Sequence, residues 1–227
     1  MTIGLVIPAA GVGNRFSKDV KKQFYQIDNK PILYFTLRNI LSAYNFSEVV
    51  IGISDSDRDE INEIIEDLNL DINFKIVLGG ETRAHTVMNC LQAVMSDMVL
   101  IHDAVRPFVT KETVQDIIAG AIEFDGAVPA IMVRDTVKRV DNKGVIQKTE
   151  EREGLYLAHT PQGFKTNIIK NALKESINKG LNVTDESSAM EMYGSKIKIV
   201  PSSYDNIKVT YIQDIDIINI LKDKYFK

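Results

Sequence analysis

The stretch Ile3-Gly4-Leu5-Val6-Ile7-Pro8-Ala9-Ala10-Gly11-Val12-Gly13-Asn14-Arg15 decides how this chain folds. Its apolar beginning predicts a buried strand, which stops at a proline and opens into small residues, two glycines and a basic side chain. Small residues let backbone amides approach an anion closely, and Arg15 with the later Lys22 supplies opposing charge. This composition predicts a phosphate-binding loop, although a glycine pair after a strand is also often a simple turn.

The loop does not match the two best-known phosphate-binding signatures. The P-loop pattern Gly-x-x-x-x-Gly-Lys-Ser/Thr is absent from the sequence. Phe16 stands where the dinucleotide pattern Gly-x-Gly-x-x-Gly requires its third glycine. Other parts of the chain must therefore decide which ligand the loop binds.

Composition limits the class of protein. The 227 residues suit a single domain, and a hydrophobic content of 44% is enough for a sizeable core. A net charge of -4, from 27 basic and 31 acidic residues, argues against general binding of nucleic acid or of a membrane surface. Cys90 is the single cysteine, which excludes an intrachain disulfide and a cysteine-based metal cluster. With neither a signal peptide nor a membrane-length apolar run evident, the cytoplasm is the expected location.

Apolar runs alternate with amphipathic segments along most of the chain. The apolar runs predict strands at Ile3–Ile7, Val49–Ile53, Phe74–Val77, Met98–Ile101 and Gly126–Val133. Helical spacing predicts helices at Pro31–Ser42, Asp57–Leu68, Arg83–Met95 and Lys111–Phe124, with a closing helix over Tyr211–Tyr225. This alternation indicates an α/β fold with a Rossmann-like, mostly parallel sheet flanked by helices. Pro129 is the exception, because proline is poorly suited to a central strand.

The unusual segments follow the predicted strands. The loop Pro8–Arg15 comes after the first strand, Gly79–Arg83 after the third and His102–Pro107 after the fourth. Ligands of such sheets bind beyond the carboxyl ends of the strands. We therefore expect these three segments to meet at one binding site.

The middle of the chain predicts a hairpin. Residues 133 to 140 alternate with a period of two, Asp141–Gly144 makes a turn, and Val145–Lys148 resumes the strand, with positive φ angles expected from Asn142 to Gly144. The hairpin has few large apolar residues to bury against its own domain. We therefore predict a single domain over 1–227, with a projecting β-arm at about 134–159 that docks on a second subunit.

Several side chains in these segments suit phosphate chemistry, each with a simpler alternative. Asp103 follows an apolar strand, where a carboxylate can hold Mg²⁺ or merely cap a helix. Arg106 precedes a proline, which favours an extended conformation, but arginine is usually a surface residue. Gly79–Arg83 forms a close-approach loop or an ordinary helix start, and Lys208 lies in a short β-like run where a solvated lysine is common.

No set of residues for nucleophilic catalysis is evident in the sequence. Transfer from a nucleoside triphosphate needs positioning and cations around the phosphates rather than a protein nucleophile. The residues 184–188 fit the start of a helix, with Ser188 and Glu191 as a capping box.

Taken together, eight ordered motifs resemble the 2-C-methyl-D-erythritol 4-phosphate cytidylyltransferase family of the non-mevalonate isoprenoid pathway. They are Pro8-Ala-Ala-Gly-Val-Gly-Asn-Arg15, Lys22-Gln-Phe24, Gly79-Gly-Glu-Thr-Arg-Ala-His-Thr-Val87, His102-Asp-Ala-Val-Arg-Pro107, Arg134-Asp-Thr-Val-Lys-Arg139, Leu157-Ala-His-Thr-Pro-Gln162, Thr184-Asp-Glu186 and Asn206-Ile-Lys-Val-Thr210. The resemblance covers nearly the whole chain. It implies a homodimeric enzyme that makes CDP-methylerythritol and pyrophosphate from CTP and a polyol phosphate, with Mg²⁺.

The resemblance also implies roles for particular residues. Arg15, Lys22 and Lys208 would be catalytic, the first two by bracing the triphosphate, and Asp103 would face the metal and the ribose. The expected nucleotide-binding residues are Pro8, Ala9, Ala10, Gly11, Gly13, Gly80, Glu81, Arg83, Thr86, Asp103 and Ala104. The expected residues for the polyol phosphate are Arg106, Thr160 and Lys208, with Thr136 and Arg152 from the arm of the second subunit.

Two departures from the family pattern keep alternatives open. Thr86 stands where serine is usual, and Val105 replaces a common alanine. Pentitol-phosphate cytidylyltransferases, such as those acting on ribitol 5-phosphate, share the pattern around Asp103. Ala9-Ala10-Gly11 and Arg139 favour the isoprenoid enzyme over these relatives. A non-catalytic nucleotide-binding module is the remaining alternative, but Arg15, Lys22 and Asp103 are all present.

Overall fold

The computed structural model describes residues 1–11, 13, 15–17 and 20–226. In chain order its strands and helices are β1 (Ile3–Pro8), β2 (Gln26–Ile27), β3 (Lys30–Pro31), α1 (Ile32–Ala43), β4 (Glu48–Ile53), α2 (Arg58–Leu68), β5 (Phe74–Leu78), α3 (Arg83–Ala93), β6 (Met98–Ile101), α4 (Lys111–Glu123), β7 (Gly126–Met132), β8 (Lys138–Val140), β9 (Ile146–Thr149), β10 (Tyr156–Ala158), β11 (Gln162–Lys165), α5 (Thr166–Asn178), α6 (Glu186–Met192), β12 (Ile197–Pro201) and α7 (Asp214–Tyr225). Short 3-10 helices form at Lys22–Phe24 and Asp55–Asp57.

The central sheet has the strand order β10-β7-β11-β6-β1-β4-β5, with β12 paired to the free side of β7. The pairs β1–β4, β1–β6, β4–β5 and β7–β12 are parallel. Strands β10 and β11 run antiparallel to their neighbours. The predicted α/β class with a mostly parallel, helix-flanked sheet is confirmed.

Alternation along the central strands explains why helices cover both faces. On β1, Leu5 and Ile7 belong to one hydrophobic cluster, whereas Val6 between them belongs to the other. The first cluster includes apolar residues of α1, α2 and α4, and the second includes those of α3, α5 and α6. Successive side chains of a strand point to opposite faces, so a continuous apolar run needs cover on both sides. Cys90 lies in the second cluster as a buried residue among apolar side chains.

The five strands and five helices predicted from the apolar runs and helical spacing are all present, and each end lies within three residues of its predicted position. The largest shift is at the closing helix, which begins at Asp214 because the Asp214 carboxylate accepts hydrogen bonds from the backbone amides of Thr210 and Tyr211. The capping box also differs from the prediction. Asp185 is the N-cap of α6 and Ser188 is its reciprocal partner, so the box begins earlier than a Ser188–Glu191 pair.

Pro129 lies inside β7, yet it breaks no main-chain ladder. On one side β11 pairs with residues 126 and 127, and β10 pairs with residues 130 to 132. Pro129 falls between these two partners, and its carbonyl accepts a hydrogen bond from His159. Proline has no amide hydrogen to donate, and at residue 129 neither β10 nor β11 is paired with β7, so no strand pairing is lost there.

The hairpin predicted in the middle of the chain is β8–β9, a separate two-stranded sheet. The Asp141 carboxylate accepts hydrogen bonds from the amides of Lys143 and Val145, so the turn needs one left-handed residue, Gly144. The expectation of positive φ throughout Asn142 to Gly144 is therefore wrong. Residues 156 to 158, which we had placed in the arm, form β10 of the central sheet.

Among the described residues, no helix is both long enough and apolar enough to span a membrane.

Candidate active site

A cavity of about 330 Å³ opens where β1, β5 and β6 end. It lies at the edge of the sheet where the three unusual segments were expected to meet. The lining residues are Pro8, Ala9, Ala10, Gly11, Lys22, Gln23, Gly80, Glu81, Thr82, Arg83, Thr86, Asp103, Ala104, Val105 and Lys208. Of the predicted nucleotide-binding residues that the structure describes, Gly13 alone is outside this lining.

The loop after β1 forms one wall of the cavity. Ala9 donates its amide to the carbonyl of Gly52 (2.7 Å), which extends the pairing with β4 by one residue. Gln23, buried in the 3-10 helix, donates from Nε2 to the carbonyls of Ala9 (2.9 Å) and Gly11 (3.1 Å). Sequence reasoning did not assign a role to Gln23. Its position directly after Lys22 was the available signal.

The segment from Gly79 to Thr86 forms the opposite wall. A Cβ atom at Gly79 would lie 2.4 Å from the Cβ of Ala10, so only glycine lets the two walls approach this closely. The Thr86 hydroxyl accepts a hydrogen bond from the Gly80 amide (3.0 Å). Thr82 caps α3 by accepting from the His85 amide. Both interpretations of this segment therefore hold, because the close-approach loop is also a helix start.

Asp103 is a buried residue of the cavity lining and is surrounded by cations. Its carboxylate oxygens lie 3.3 Å from Arg83 Nη2, 3.2 Å from Arg106 Nε and 2.9 Å from Lys208 Nζ. Burial by itself would raise the pKa of Asp103, but the charges of Arg83, Lys208 and Arg106 hold it well below its usual range. Asp103 is therefore ionised, and it does not cap a helix, since Thr110 is the N-cap of α4.

Two lysines approach the cavity from different parts of the chain. Lys22 Nζ lies 3.4 Å from the carbonyl oxygen of Val209, the residue that follows Lys208 in the sequence. Burial lowers the pKa of Lys22, and the charges of Lys208, Arg15 and Arg106 lower it further, against the opposing effect of Asp103. This excess of positive charge favours binding of an anion. Arg15 is exposed and lies outside the cavity lining, but it is near enough to act on Lys22.

Arg106 and Thr160 lie behind Asp103. Arg106 is 8% exposed and also donates from Nη1 to the carbonyl of Asn206 (2.7 Å), so it is not a surface arginine. The Thr160 hydroxyl contacts the Asp103 amide (3.0 Å) and His102 Nδ1 (2.9 Å). Burial lowers the pKa of His102 to about 4, which leaves its ring neutral at pH 7. The residues around Lys208 do not form the β-strand that their sequence suggests. The backbone amide of Val209 donates to the carbonyl of Val105 (3.0 Å), which lies in the loop after β6.

A buried carboxylate on α6 completes the charge network, and sequence reasoning missed it. Glu186 is 1% exposed and accepts two hydrogen bonds from Arg83, at 2.6 and 3.1 Å. Arg83 therefore bridges Glu186 and Asp103 along the cavity wall. The Thr184–Glu186 motif was the available signal, but helix initiation was the better explanation of that segment.

The two predicted arm residues lie apart from this cavity within one chain. Thr136 and Arg152 are exposed, and Arg152 Nη1 donates to the carbonyl of Arg134. Neither is part of the lining given above. Within the described residues, one chain thus brings together the predicted nucleotide site but not the complete polyol-phosphate site.

Within the part of the chain that the structure describes, the cavity lining contains one buried carboxylate that could hold Mg²⁺, that of Asp103. Among the described residues, no three His, Cys, Asp or Glu side chains group as a metal site. Asp103 is a buried ionised carboxylate in the lining, and Mg²⁺ is commonly held by one or two carboxylates together with phosphate oxygens and water. Asp103 therefore fits Mg²⁺ as a single protein ligand, provided that a bound phosphate supplies further oxygens.

Comparison with known proteins assigns the chain to one family. A model of the IspD family, 2-C-methyl-D-erythritol 4-phosphate cytidylyltransferase, matches residues 3–222. Proteins of that name from Clostridium botulinum (strain Eklund 17B / Type B) and Haemophilus influenzae (strain PittGG) are 36% and 40% identical, over 94% and 92% of this chain and 96% and 92% of theirs. The crystal structure of 4-diphosphocytidyl-2C-methyl-D-erythritol synthase from Anaerococcus prevotii has a TM-score of 0.85 at 29% identity, covering 98% of both chains. This chain belongs to the 2-C-methyl-D-erythritol 4-phosphate cytidylyltransferase family.

Proposed function

We propose that this protein transfers CMP from CTP to 2-C-methyl-D-erythritol 4-phosphate, giving CDP-methylerythritol and pyrophosphate. The observation that carries the proposal is one cavity with two closely spaced backbone walls and cations in its lining. The walls are the loops at Ala9–Gly11 and Gly80–Thr86, and Lys22 and Lys208 line the cavity together with Asp103. Family membership names the substrates, and the cavity supplies the chemistry that suits them.

The reaction needs no covalent intermediate on the protein. A phosphate oxygen of methylerythritol phosphate attacks the α-phosphorus of CTP, and the bond from that phosphorus to the pyrophosphate oxygen breaks. Negative charge grows on the transferring group and on the leaving pyrophosphate. Lys22 and Arg15 are the cations that we assign to this charge, because preorganised cations in a partly buried site stabilise it strongly.

We assign the polyol phosphate to the side of the cavity near Lys208. Arg106 and Thr160 hold Asp103 and its neighbours in place from behind, and Lys208 is partly exposed toward the ligand. Thr136 and Arg152 would come from the arm of a second copy, so that a homodimer forms the complete site. The exposed apolar residues of the arm and the adjacent sheet support such a contact, among them Met132, Val140, Val145, Ile146 and Leu157.

Mg²⁺ is the metal that we propose for this site, with Asp103 as its protein ligand. Asp103 would hold it, and the metal would supply positive charge that offsets the charge of the triphosphate. We place the enzyme in the cytoplasm, because CTP and phosphorylated polyols do not cross membranes unaided.

The test is a pyrophosphate-release assay with CTP and Mg²⁺ and a series of polyol phosphates. We expect fast release with methylerythritol 4-phosphate and little with ribitol 5-phosphate or erythritol 4-phosphate. Preference for ribitol 5-phosphate would replace the proposed substrate. Tight CTP binding by calorimetry without release from any polyol phosphate would instead indicate a non-catalytic nucleotide-binding module.

A further inference from the structure

Three consecutive carbonyls of the loop after β1 accept hydrogen bonds from side chains. Gln23 Nε2 donates to the carbonyls of Ala9 (2.9 Å) and Gly11 (3.1 Å). Ser54 Oγ donates to the carbonyl of Ala10 between them (3.0 Å). Two side chains from outside the loop, those of Gln23 and Ser54, therefore hold it in place through its carbonyl groups.

These bonds determine where the loop amides point. In a trans peptide the C=O and the following N–H lie in one plane and point in opposite directions. Fixing the carbonyls of Ala9 and Ala10 therefore fixes the amides of Ala10 and Gly11, directed away from Gln23 and Ser54. Both residues line the cavity, and neither amide has a hydrogen-bond partner among the described residues, so both amides can bind a ligand there.

Gln23 is well placed to keep this arrangement rigid. Its residue is 2% exposed, and it is the middle residue of a 3-10 helix that starts at Lys22. The turn is closed by hydrogen bonds from Phe24 to Lys21 (2.9 Å) and from Tyr25 to Lys22 (3.3 Å). One short turn thus carries both a cavity cation, Lys22, and the side chain that holds the amide-bearing loop.

We propose that Gln23 is a positioning residue for nucleotide recognition, which it supports by holding the peptide planes at Ala9–Gly11. The proposal rests on the proposed function, since it assigns the cavity to CTP. It separates two roles within one turn: Lys22 acts on charge that develops during transfer, and Gln23 acts on binding of the ground-state nucleotide. Loss of Gln23 therefore weakens CTP binding and leaves the transfer step nearly intact.

The test compares Gln23→Met with Gln26→Met. Methionine keeps the length of glutamine but donates no hydrogen bond, and Gln26 is an exposed residue three positions away. We measure CTP affinity by calorimetry, kcat and KM by pyrophosphate release, and the amide signals of Ala10 and Gly11 by NMR with isotope-labelled protein. For Gln23→Met we expect a KM and Kd for CTP raised roughly tenfold, kcat within about twofold, and altered Ala10 and Gly11 amide responses to CTP. Gln26→Met should match the wild type.

The possible failures are distinguishable. If wild-type protein binds no CTP, the proposed function fails before Gln23 is tested. If the wild type binds CTP but Gln23→Met lowers only the melting temperature, or lowers kcat with an unchanged KM, the positioning role is wrong. Should Gln23→Met not fold, Ser54→Ala removes the donor to Ala10 alone, and it must raise the KM for CTP by a smaller factor; an unchanged KM overturns the proposal.

Discussion

Lys208 Nζ lies 2.9 Å from Asp103 Oδ2 in the lining of the cavity. The two residues are far apart in the sequence, since Asp103 follows β6 and Lys208 lies in the loop before α7. The side chain of Asp103 is 7% exposed, whereas that of Lys208 is 36% exposed. The carboxylate is therefore the fixed member of the pair, and the lysine is the member that can turn toward a ligand.

This asymmetry predicts different outcomes for the two partners. Asp103→Asn removes the counter-charge of Arg83 and Arg106 as well as Lys208, and it should lower the free energy of unfolding by on the order of 3 kcal/mol. Lys208→Ala should lower it by less than about 1 kcal/mol, because the lysine is partly solvated. Urea unfolding measures both. Asp28→Asn, at an exposed pair with Lys222, is the control; equal effects at Asp28 and Asp103 would contradict this assignment.

Removing either proposed catalytic cation should affect transfer more than binding. Lys22→Ala and Arg15→Ala should each lower kcat by on the order of a hundredfold, or about 3 kcal/mol of transition-state stabilisation. The KM for CTP should change much less. Lys30→Ala, which removes an exposed lysine paired with Asp67, should keep the wild-type kcat. A wild-type kcat in the Lys22 variant would remove Lys22 from the transfer step.

The cavity walls predict a strong choice of base. The backbone groups of Ala9–Gly11 and Gly80 line the cavity closely. A base whose hydrogen-bonding groups do not match them leaves a buried donor or acceptor unpaired, which is unfavourable. CTP should be preferred to UTP by a large factor in kcat/KM, and the larger ATP should be rejected. Competition assays with the three nucleotides measure the preference. Comparable turnover of UTP or ATP would show that these walls do not read the base.

A site shared between two chains predicts complementation. Arg152→Ala removes the arm contribution and Lys208→Ala the body contribution, so each homodimer should be nearly inactive. After the two are mixed in equal amounts, unfolded and refolded, about half the dimers are hybrids with one intact site each. Roughly a quarter of the wild-type activity should return, by the statistics of two-fold symmetry.

Two controls complete this experiment. Each variant refolded alone must stay inactive, and hybrid formation must be verified with differently tagged chains. If hybrids form and the mixture stays inactive, the arm does not complete the neighbour's site.

Glu48 predicts how stability falls in acid. Burial by itself would raise the pKa of Glu48, but hydrogen bonds from Lys75, Ser96 and Met95 lower it to about 2. A carboxyl whose pKa is lower in the folded than in the unfolded chain stabilises the fold above the unfolded value of about 4.5. This contribution, on the order of 3 kcal/mol, is lost as the pH falls from about 4.5 toward 2.

The acid dependence can be assigned to Glu48 by substitution. Glu48→Gln should be less stable than the wild type at pH 7 and should lose less stability between pH 5 and pH 3. The exposed Glu60→Gln should follow the wild-type curve. A Glu48→Gln curve parallel to that of the wild type would show that another group governs this range.

The sequence predicted the parallel core because periodicity is a local signal. Strands β1, β4 and β6 are continuous apolar runs, and the helices between them have clear apolar faces. Strands β10 and β12 escaped prediction because they are short and most of their residues are exposed, so neither is a buried apolar run. Their pairing with β7 is determined by tertiary contacts rather than by their own pattern.

The same contrast holds at the candidate site. The small residues of Pro8–Gly11 and the charged Asp103 were visible as departures from a strand pattern. Gln23 and Glu186 were not, because a polar residue in a short helix is ordinary until its burial is known. Their roles depend on partners far away in sequence, such as Arg83 for Glu186.

The hairpin β8–β9 pairs only with itself among the described strands, whereas Asp103 is attached to the central sheet through β6. Strand β11 runs antiparallel to β6, so the chain returns from the hairpin to the very end of β6 and presents Thr160 to the Asp103 amide. The segment between these two residues, which includes α4 and β7 as well as the hairpin, thus begins and ends at one fixed place. A change in the length of the hairpin can consequently alter the proposed contact with a second copy while the cavity around Asp103 keeps its shape.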